Sequence, residues 1–106
     1  MAMKKVFITG IAGFLGSHLA DAFLAKGYEV AGIDNLIGGY HDNIPHRVEF
    51  HHCDLLDFGK LKEMMAGCDV VYHTACTAYE GLSVFSPSLI VQNTTQIAVN
   101  AMTAAI

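Results

Sequence analysis

The sequence predicts an α/β fold, in which a parallel β-sheet carries helices on both faces. Short apolar segments rich in β-branched residues alternate along the chain with segments of helical periodicity, as parallel strands and their crossover helices do. The 106 residues are 53% hydrophobic and only 15% charged, below the roughly 25% usual for soluble domains. Either the sheet is buried on both faces or part of the protein is missing. A chain of this length holds one domain at most.

The first half of the chain predicts two strands joined by a helix. Residues 4–9 are apolar, β-branched and followed directly by glycine, as a buried parallel strand requires. Gly27 is placed to end the helix that follows, and residues 28–34 form a second apolar strand. The helix is predicted from four apolar residues at helical spacing, which are Leu15, Leu19, Ala22 and Phe23.

The second half repeats this alternation after a turn-rich stretch at residues 35–45. Residues 47–51 alternate as a third strand, residues 57–66 carry a helical stripe, and residues 69–74 form a fourth strand. After a loop at 75–86, Ser86-Pro87 supplies an N-cap and a first-turn proline for a helix that runs to the chain end. Right-handed crossovers predict the spatial strand order 3-2-1-4. We therefore expect residues 1–106 to be the N-terminal part of a domain cut off after its fourth strand and the following helix.

The composition excludes several classes of partner. The net charge is −4 and the six Lys and Arg residues form no basic run, which argues against nucleic acid. No apolar run approaches the roughly 18 residues that span a bilayer. The three cysteines form no CxxC pair and leave an odd count, which favours reduced thiols and a cytoplasmic location; they are Cys53, Cys68 and Cys76.

The N-terminal region also allows a different interpretation. Lys4-Lys5, the apolar residues 6–15 and the triplet Ala20-Asp21-Ala22 together imitate a signal peptide with its cleavage site. On that interpretation the regular glycine spacing would be a coincidence, so we favour a strand followed by a helix.

Three glycines lie where the first strand turns into the first helix. Gly10 permits a tight turn, Gly13 lets the backbone contact a pyrophosphate, and Gly16 allows the helix to pack closely on the strand. The helix N-terminus favours the negative charge of the phosphates. The alternative is that the glycines serve only a tight crossover.

Asp34 strengthens the case for a Rossmann-type dinucleotide site. It ends the second strand, where a carboxylate accepts hydrogen bonds from an adenosine ribose. Its alternative role is that of a turn aspartate, since Asn35 and the pair Gly38-Gly39 follow. No Lys or Arg occurs from residue 35 to 46 to receive a 2′-phosphate, so NAD is predicted over NADP. Arg47 is the nearest cation, and as the start of the third strand it is expected to point away.

Residues 9–16, Thr-Gly-Ile-Ala-Gly-Phe-Leu-Gly, resemble the TGxxGFxG signature of extended short-chain dehydrogenases/reductases. The run Asp34-Asn35-Leu36 resembles the DNL of the NAD-dependent nucleotide-sugar epimerases and dehydratases within that family. The resemblance covers essentially the whole chain. It implies bound NAD, with cofactor contacts from the turn, including Phe14 and Leu15, and from Asn35 and Leu36.

Three further segments are similar to motifs of that family. Asp54-Leu55 is similar to the pair that holds the adenine ring, although Asp54 taken alone would be a helix-start residue. His73-Thr74-Ala75-Cys76 is similar to the HxAA or HxAG motif beside the cofactor, with Cys76 in place of Ala or Gly. Asn93 is similar to an Asn early in the fourth helix, and its alternative is a helix-surface amide. The resemblance implies cofactor contacts at Thr74, Ala75, Cys76 and Asn93.

Five potential metal ligands lie close together in the sequence without predicting a metal site. Their spacing matches no zinc pattern, and a strand would point His51 and His52 to opposite faces; the full set is His41, His46, His51, His52 and Cys53.

No catalytic residue is assigned. The family's chemistry uses a Tyr with a Lys four residues later, and the chain contains no YxxxK; the four tyrosines are followed at that spacing by Gly32, Ile44, Cys76 and Ser83. The resemblance implies an epimerase or dehydratase that moves a hydride between a nucleotide sugar and bound NAD. We expect this chain alone to be inactive. The alternatives are a non-catalytic dinucleotide-binding or redox-sensing module and a half-domain completed by a second chain.

Self-association is also expected. An outer strand without a neighbour presents unpaired backbone groups. The final predicted helix is apolar and carries little charge, and members of the family commonly dimerise through helices of this region; its apolar residues are Leu89, Ile90, Val91, Ile97 and Val99.

Overall fold

A computed structural model of the chain describes residues 4–36, 39–75, 88 and 92–106. Its four strands form one parallel sheet in the spatial order β3-β2-β1-β4, which confirms the predicted α/β fold and strand order. The strands are β1 (Lys5–Thr9), β2 (Glu29–Asp34), β3 (Glu49–His52) and β4 (Val70–His73). The α-helices of the described residues are α1 (Phe14–Ala25), α2 (Phe58–Met65) and α3 (Ile97–Ala105).

The sheet is covered on both faces because the side chains of β1 alternate between two cores. Phe7 points into a core that α2 and α3 cover, and Val6 and Ile8 point into a core that α1 covers. The first core also contains Ala31, Ile33, Leu55, Leu61, Met65, Ile97 and Ala101, and the second contains Ile11, Ala20 and Val30. The low charge content of the sequence therefore fits a sheet with two buried faces.

The predicted boundaries in the middle of the chain differ from the observed ones by one or two residues. The third strand begins at Glu49 and not at residue 47, because Val48 N donates to Pro45 O at 3.2 Å and closes a turn. The second helix begins at Phe58, because the Asp57 side chain accepts from Lys60 N at 3.3 Å and caps it.

The last helix differs from its prediction. Gln92–Gln96 form a π-helical segment before α3, where one continuous α-helix was predicted. Asn and β-branched Thr at positions 93–95 have low helix propensity, and π-turns inside helices are frequent at functional sites. The predicted cap Ser86-Pro87 and the apolar residues 89–91 lie outside the described residues.

A buried amide that the sequence analysis did not single out attaches α3 to the rest of the fold. Asn100 donates from Nδ2 to the carbonyl oxygen of Leu55 at 2.8 Å and accepts from Gln96 Nε2 at 3.0 Å. Both hydrogen-bonding atoms of this buried side chain are thereby satisfied. The bond holds α3 against the turn that precedes α2.

None of the helices in the described part of the chain combines the length and apolar character needed to cross a bilayer. The same residues contain no group of three or more His, Cys, Asp or Glu side chains that could hold a metal ion.

Candidate functional site

The carboxyl ends of the strands meet along one edge of the sheet, and the turn of residues 10–16 lies at the end of its central strand. Thr9 pairs in register with Ile33 of β2 and His73 of β4, while Asp34 pairs with His52 of β3. Ligands of open α/β sheets bind at this edge. The parallel topology thus brings the predicted site residues of three strands together.

Gly10 makes the tight turn that the sequence predicts for it. Its φ is +71°, and a Cβ at this position would lie 2.8 Å from the Cα and the N of Ala75. The turn is held by Gly10 N, which donates to the carbonyl oxygen of Ile33 at 2.9 Å. Both the backbone conformation and the contact with the end of β4 therefore require glycine.

Gly13 and Gly16 allow α1 to begin directly over the turn. Gly13 is the N-cap of α1 and has no side chain to cap the helix, and a Cβ there would come within 3.3 Å of Gly10 O. A Cβ at Gly16 would overlap the same carbonyl oxygen. No acidic residue occupies the first turn of α1. The first turn of α1 therefore contributes no acidic side chain of its own that would repel a phosphate.

The Asp34 carboxylate connects the end of β2 to the glycine turn. It is only 8% exposed, its Oδ2 accepts from Ala12 N at 2.9 Å, and its Oδ1 accepts from Leu36 N at 2.7 Å. The second bond is a local turn bond, which agrees with the alternative role considered for Asp34, whereas the first reaches the turn itself. An ionised carboxylate has about four acceptor positions, so two remain for a ligand.

Ala12 is fixed from its other side by the connection between β2 and β3. Its carbonyl oxygen accepts from Tyr40 N at 3.1 Å and from Asn43 Nδ2 at 3.0 Å, and a Cβ at Gly39 would come within 3.0 Å of it. The bonds hold this oxygen toward residues 39–43. These residues were predicted only as a turn-rich stretch. The short 3₁₀-helix His41–Asn43 places the Asn43 amide beside the Ala12 carbonyl oxygen.

Thr9 forms a hydrogen-bonded centre between the ends of β1 and β4. Its Oγ1 accepts from Thr74 N at 3.0 Å and Ala75 N at 3.3 Å and lies 2.7 Å from His73 Nδ1. Thr74 Oγ1 donates to Thr9 O at 2.6 Å. Thr74 and Ala75 therefore lie beside the glycine turn. No role was predicted for Thr9 or His73, although both belong to motifs that resemble those of the family.

Asp54 and Leu55, which are predicted to contact the adenine ring, both make contacts within the protein. Asp54 Oδ1 accepts from Leu56 N at 2.9 Å, and the Leu55 side chain belongs to the core. Asp57, not Asp54, caps α2. The Asp54 carboxylate keeps acceptor positions beyond its turn bond.

Two apolar side chains at the start of α1 are exposed at the site. Phe14 is 83% exposed and Leu15 is 58% exposed. The ring of Phe14 lies 4.7 Å from that of His18, centroid to centroid. Of the remaining predicted residues, Cys76, Gly38 and the side chain of Asn93 lie outside the described residues.

Arg47 lies at the opposite edge of the sheet, as predicted. Near the amino ends of β1, β2 and β3 it lines a cavity of about 370 Å³ together with Lys5 and Glu49, which form an ion pair at 3.0 Å. Arg47 is therefore not placed to meet a ligand at the glycine turn.

Comparisons with known proteins identify the family that the chain resembles. Residues 6–106 match the sequence model described as the NAD dependent epimerase/dehydratase family. UDP-glucuronic acid decarboxylase 1 of Danio rerio is 32% identical over 84 residues, which covers 79% of this chain and 20% of the relative.

Solved structures agree. UDP-glucose 4-epimerase of Thermotoga maritima with UDP-glucose has a TM-score of 0.92 at 25% identity, covering 95% of this chain and 33% of that one. UDP-glucose 4-epimerase of Thermus thermophilus in complex with NAD has a TM-score of 0.88 at 35% identity, covering 94% and 33%. The chain thus spans between a fifth and a third of the length of these relatives.

Proposed function

This chain belongs to the NAD dependent epimerase/dehydratase family, and on that premise we propose that it binds NAD at the turn of residues 10–16. The observation that carries the proposal is the buried Asp34 carboxylate, which accepts from Ala12 N at 2.9 Å and so lies against that turn. Beside it, the start of α1 carries no side-chain cap. Both observations support an anion site beside a ribose acceptor.

Different residues are assigned to different parts of the cofactor. Gly13 and the first amides of α1 would hold the pyrophosphate, since no Cβ or carboxylate stands there. Asp34 would accept from the adenosine ribose hydroxyls, which favours NAD over NADP. The further contacts are assigned through the family resemblance to Phe14, Leu15, Asn35, Leu36, Asp54, Leu55, Thr74, Ala75, Cys76 and Asn93.

For the whole protein we propose an epimerase or dehydratase of nucleotide sugars. When bound, NAD would supply reversible hydride transfer to and from a carbon of the sugar. The family description and the curated sugar-nucleotide relatives support this class of substrate. The chain has no YxxxK pair, so we expect NAD binding without turnover. Cys53 and Cys68 are free thiols in the described part, in keeping with a cytoplasmic enzyme.

Calorimetric titration with NAD tests the proposal. We expect saturable 1:1 binding, and about tenfold weaker binding by Gly13→Ala, whose added methyl would stand where the pyrophosphate must approach. Gly59→Ala is the matched control near the start of α2, where the nearest atom to the new Cβ is 4.0 Å away. The absence of NAD binding by the folded parent would overturn the proposal. Measured epimerase or dehydratase turnover would instead remove the expectation that this chain is inactive.

We also propose that a second copy of the chain covers its apolar surface. Met102 and Val99 of α3 are 70% and 53% exposed, and β4 is an edge strand of the described sheet. Such surfaces mark interaction sites. Light scattering at high micromolar concentration should give a mass above 11.4 kDa. Met102→Glu should lower that mass and Lys62→Glu, on the exposed side of α2, should not; a parent that stays monomeric contradicts this proposal.

A further inference from the structure

The hydroxyl of Thr9 lies within hydrogen-bond distance of three polar groups at the ends of β1 and β4. Thr9 is completely buried, with 0% exposure. Its Oγ1 lies 3.0 Å from Thr74 N, 3.3 Å from Ala75 N and 2.7 Å from His73 Nδ1. A hydroxyl offers one proton to donate and two lone pairs to accept.

The protons can be placed by counting. Backbone N–H groups only donate: Ala75 N donates to Thr9 Oγ1 at 3.3 Å, and Thr74 N is shared between Thr9 Oγ1 at 3.0 Å and the Thr9 carbonyl oxygen at 3.2 Å. The hydroxyl proton needs an acceptor, and among the described residues His73 Nδ1, at 2.7 Å, is the group within hydrogen-bond distance that can accept it. That nitrogen therefore carries no proton, and the ring is neutral with its proton on Nε2.

We propose that His73 is a positioning residue of the NAD site, which in its neutral Nε2–H form orients the Thr9 hydroxyl and thereby holds Ala75 against Gly10. This inference rests on the proposed function, because Gly10 begins the turn to which NAD is assigned. The link to Gly10 is steric: only glycine fits beside Ala75, since a Cβ at Gly10 would lie 2.8 Å from the Ala75 backbone. A shift of Ala75 therefore alters the backbone contact that holds Gly10 in the turn.

Protonation of His73 would break this arrangement. A proton on Nδ1 makes the ring a third donor toward an oxygen with two lone pairs, and the Thr9 hydroxyl proton then has no acceptor. Because Thr9 is fully buried, water cannot replace the lost partner. Leaving a buried polar group unpaired is costly, so Ala75 N, the longest of the three contacts, is expected to give way.

Among the described residues around His73, no carboxylate is directed at the ring to stabilise its protonated form. In β1 the ionisable residue is Lys5, at the other end of the strand, and α3 has none. In and beside β4 the ionisable neighbours are Tyr72 and, at the far end, Asp69. Asp34 lies at the same sheet edge, but its carboxylate is directed to Ala12 N and Leu36 N.

The pKa of His73 is consistent with this picture. Partial burial of the ring lowers its pKa below the usual 6.5. The unfolded chain therefore binds a proton at a higher pH than the folded chain. The stability that depends on neutral His73 is complete above about pH 6.5 and is lost as the pH falls below that value toward the lowered pKa.

Two measurements test the proposal. ¹⁵N NMR of the imidazole at pH 7.5 should show the Nε2–H tautomer without any cofactor present, and an Nδ1–H tautomer would overturn the proposal. NAD titrations of the parent should show an affinity at least about fivefold weaker at pH 5.0 than at pH 7.5. An affinity of the parent that is equal at both pH values would also overturn it.

Variants separate positioning from simple packing. His73→Asn keeps an acceptor near the Nδ1 position but does not titrate, so it should retain NAD affinity at pH 7.5 and lose the pH dependence. His73→Ala should bind more weakly at both values, while the exposed His46→Asn should behave as the parent. If the parent bound no NAD, the proposed function would fail and the tautomer would still report on His73. A His73→Asn profile identical to the parent's would assign the pH dependence elsewhere and reject the proposal.

Discussion

Replacement of Gly10 by alanine is expected to destabilise the folded chain by about 2–5 kcal/mol and to remove measurable NAD binding. Two costs add at this position. The backbone has a φ of +71°, which disfavours any residue with a Cβ, and the added methyl would meet the Ala75 backbone at 2.8 Å. Neither strand end can move away easily, because Thr9, Thr74 and Ala75 are joined by hydrogen bonds.

Gly27→Ala is the matched control for this variant. Gly27 has a comparable φ of +87°, but nothing lies within 4 Å of its added Cβ. It should therefore show only the conformational cost of about 1–2 kcal/mol and leave NAD affinity unchanged. Urea denaturation of both variants, with NAD titration of the folded protein, measures the difference. Equal losses of stability in the two variants would show that the contact with Ala75 does not constrain Gly10.

Replacement of Asp34 by alanine is expected to weaken NAD binding about ten- to a hundredfold and to narrow the difference between NAD and NADP. The carboxylate accepts hydrogen bonds from the two ribose hydroxyls in the proposed complex, whereas a 2′-phosphate would place a second anion against it in a largely buried position. Arg47 lies at the opposite edge of the sheet, so among the described residues no nearby cation offsets the charge of a 2′-phosphate. Titration of both cofactors against parent and variant gives the two affinities.

Asp34 also has a structural role, so the Asp34→Ala variant needs a control for the loss of stability. Its removal leaves Ala12 N and Leu36 N without their side-chain acceptor, so part of the loss will come from the turn itself. Asp57→Ala, which removes the cap of α2, costs about 1 kcal/mol of stability away from the site and should not alter either affinity. A loss of stability alone weakens the binding of NAD and of NADP by the same factor. Loss of the ribose contact instead changes the ratio of the two affinities. A parent with equal affinity for NAD and NADP would exclude the assigned role of Asp34.

The sequence by itself determined the strand order, the glycine turn and the place of Asp34. These features depend on local chemistry: the two-residue period of strands, the helical period of α1 and α2, and the conformations open to glycine. In a doubly wound fold with right-handed crossovers the expected order of four such strands is 3-2-1-4, and that order brings Asp34 beside residues 10–16.

The tertiary structure alone decided which polar groups hold the site together. Thr9 meets His73 across 64 positions of sequence, and Asn43 reaches the Ala12 carbonyl across 31. Asn100 similarly binds the carbonyl of Leu55 across 45 positions. None of these pairs has a periodic or spacing signal, because a buried polar atom takes whichever partner the packed chain brings within about 3 Å. Which ring nitrogen of His73 carries the proton likewise depends on the groups that folding brings around the Thr9 hydroxyl.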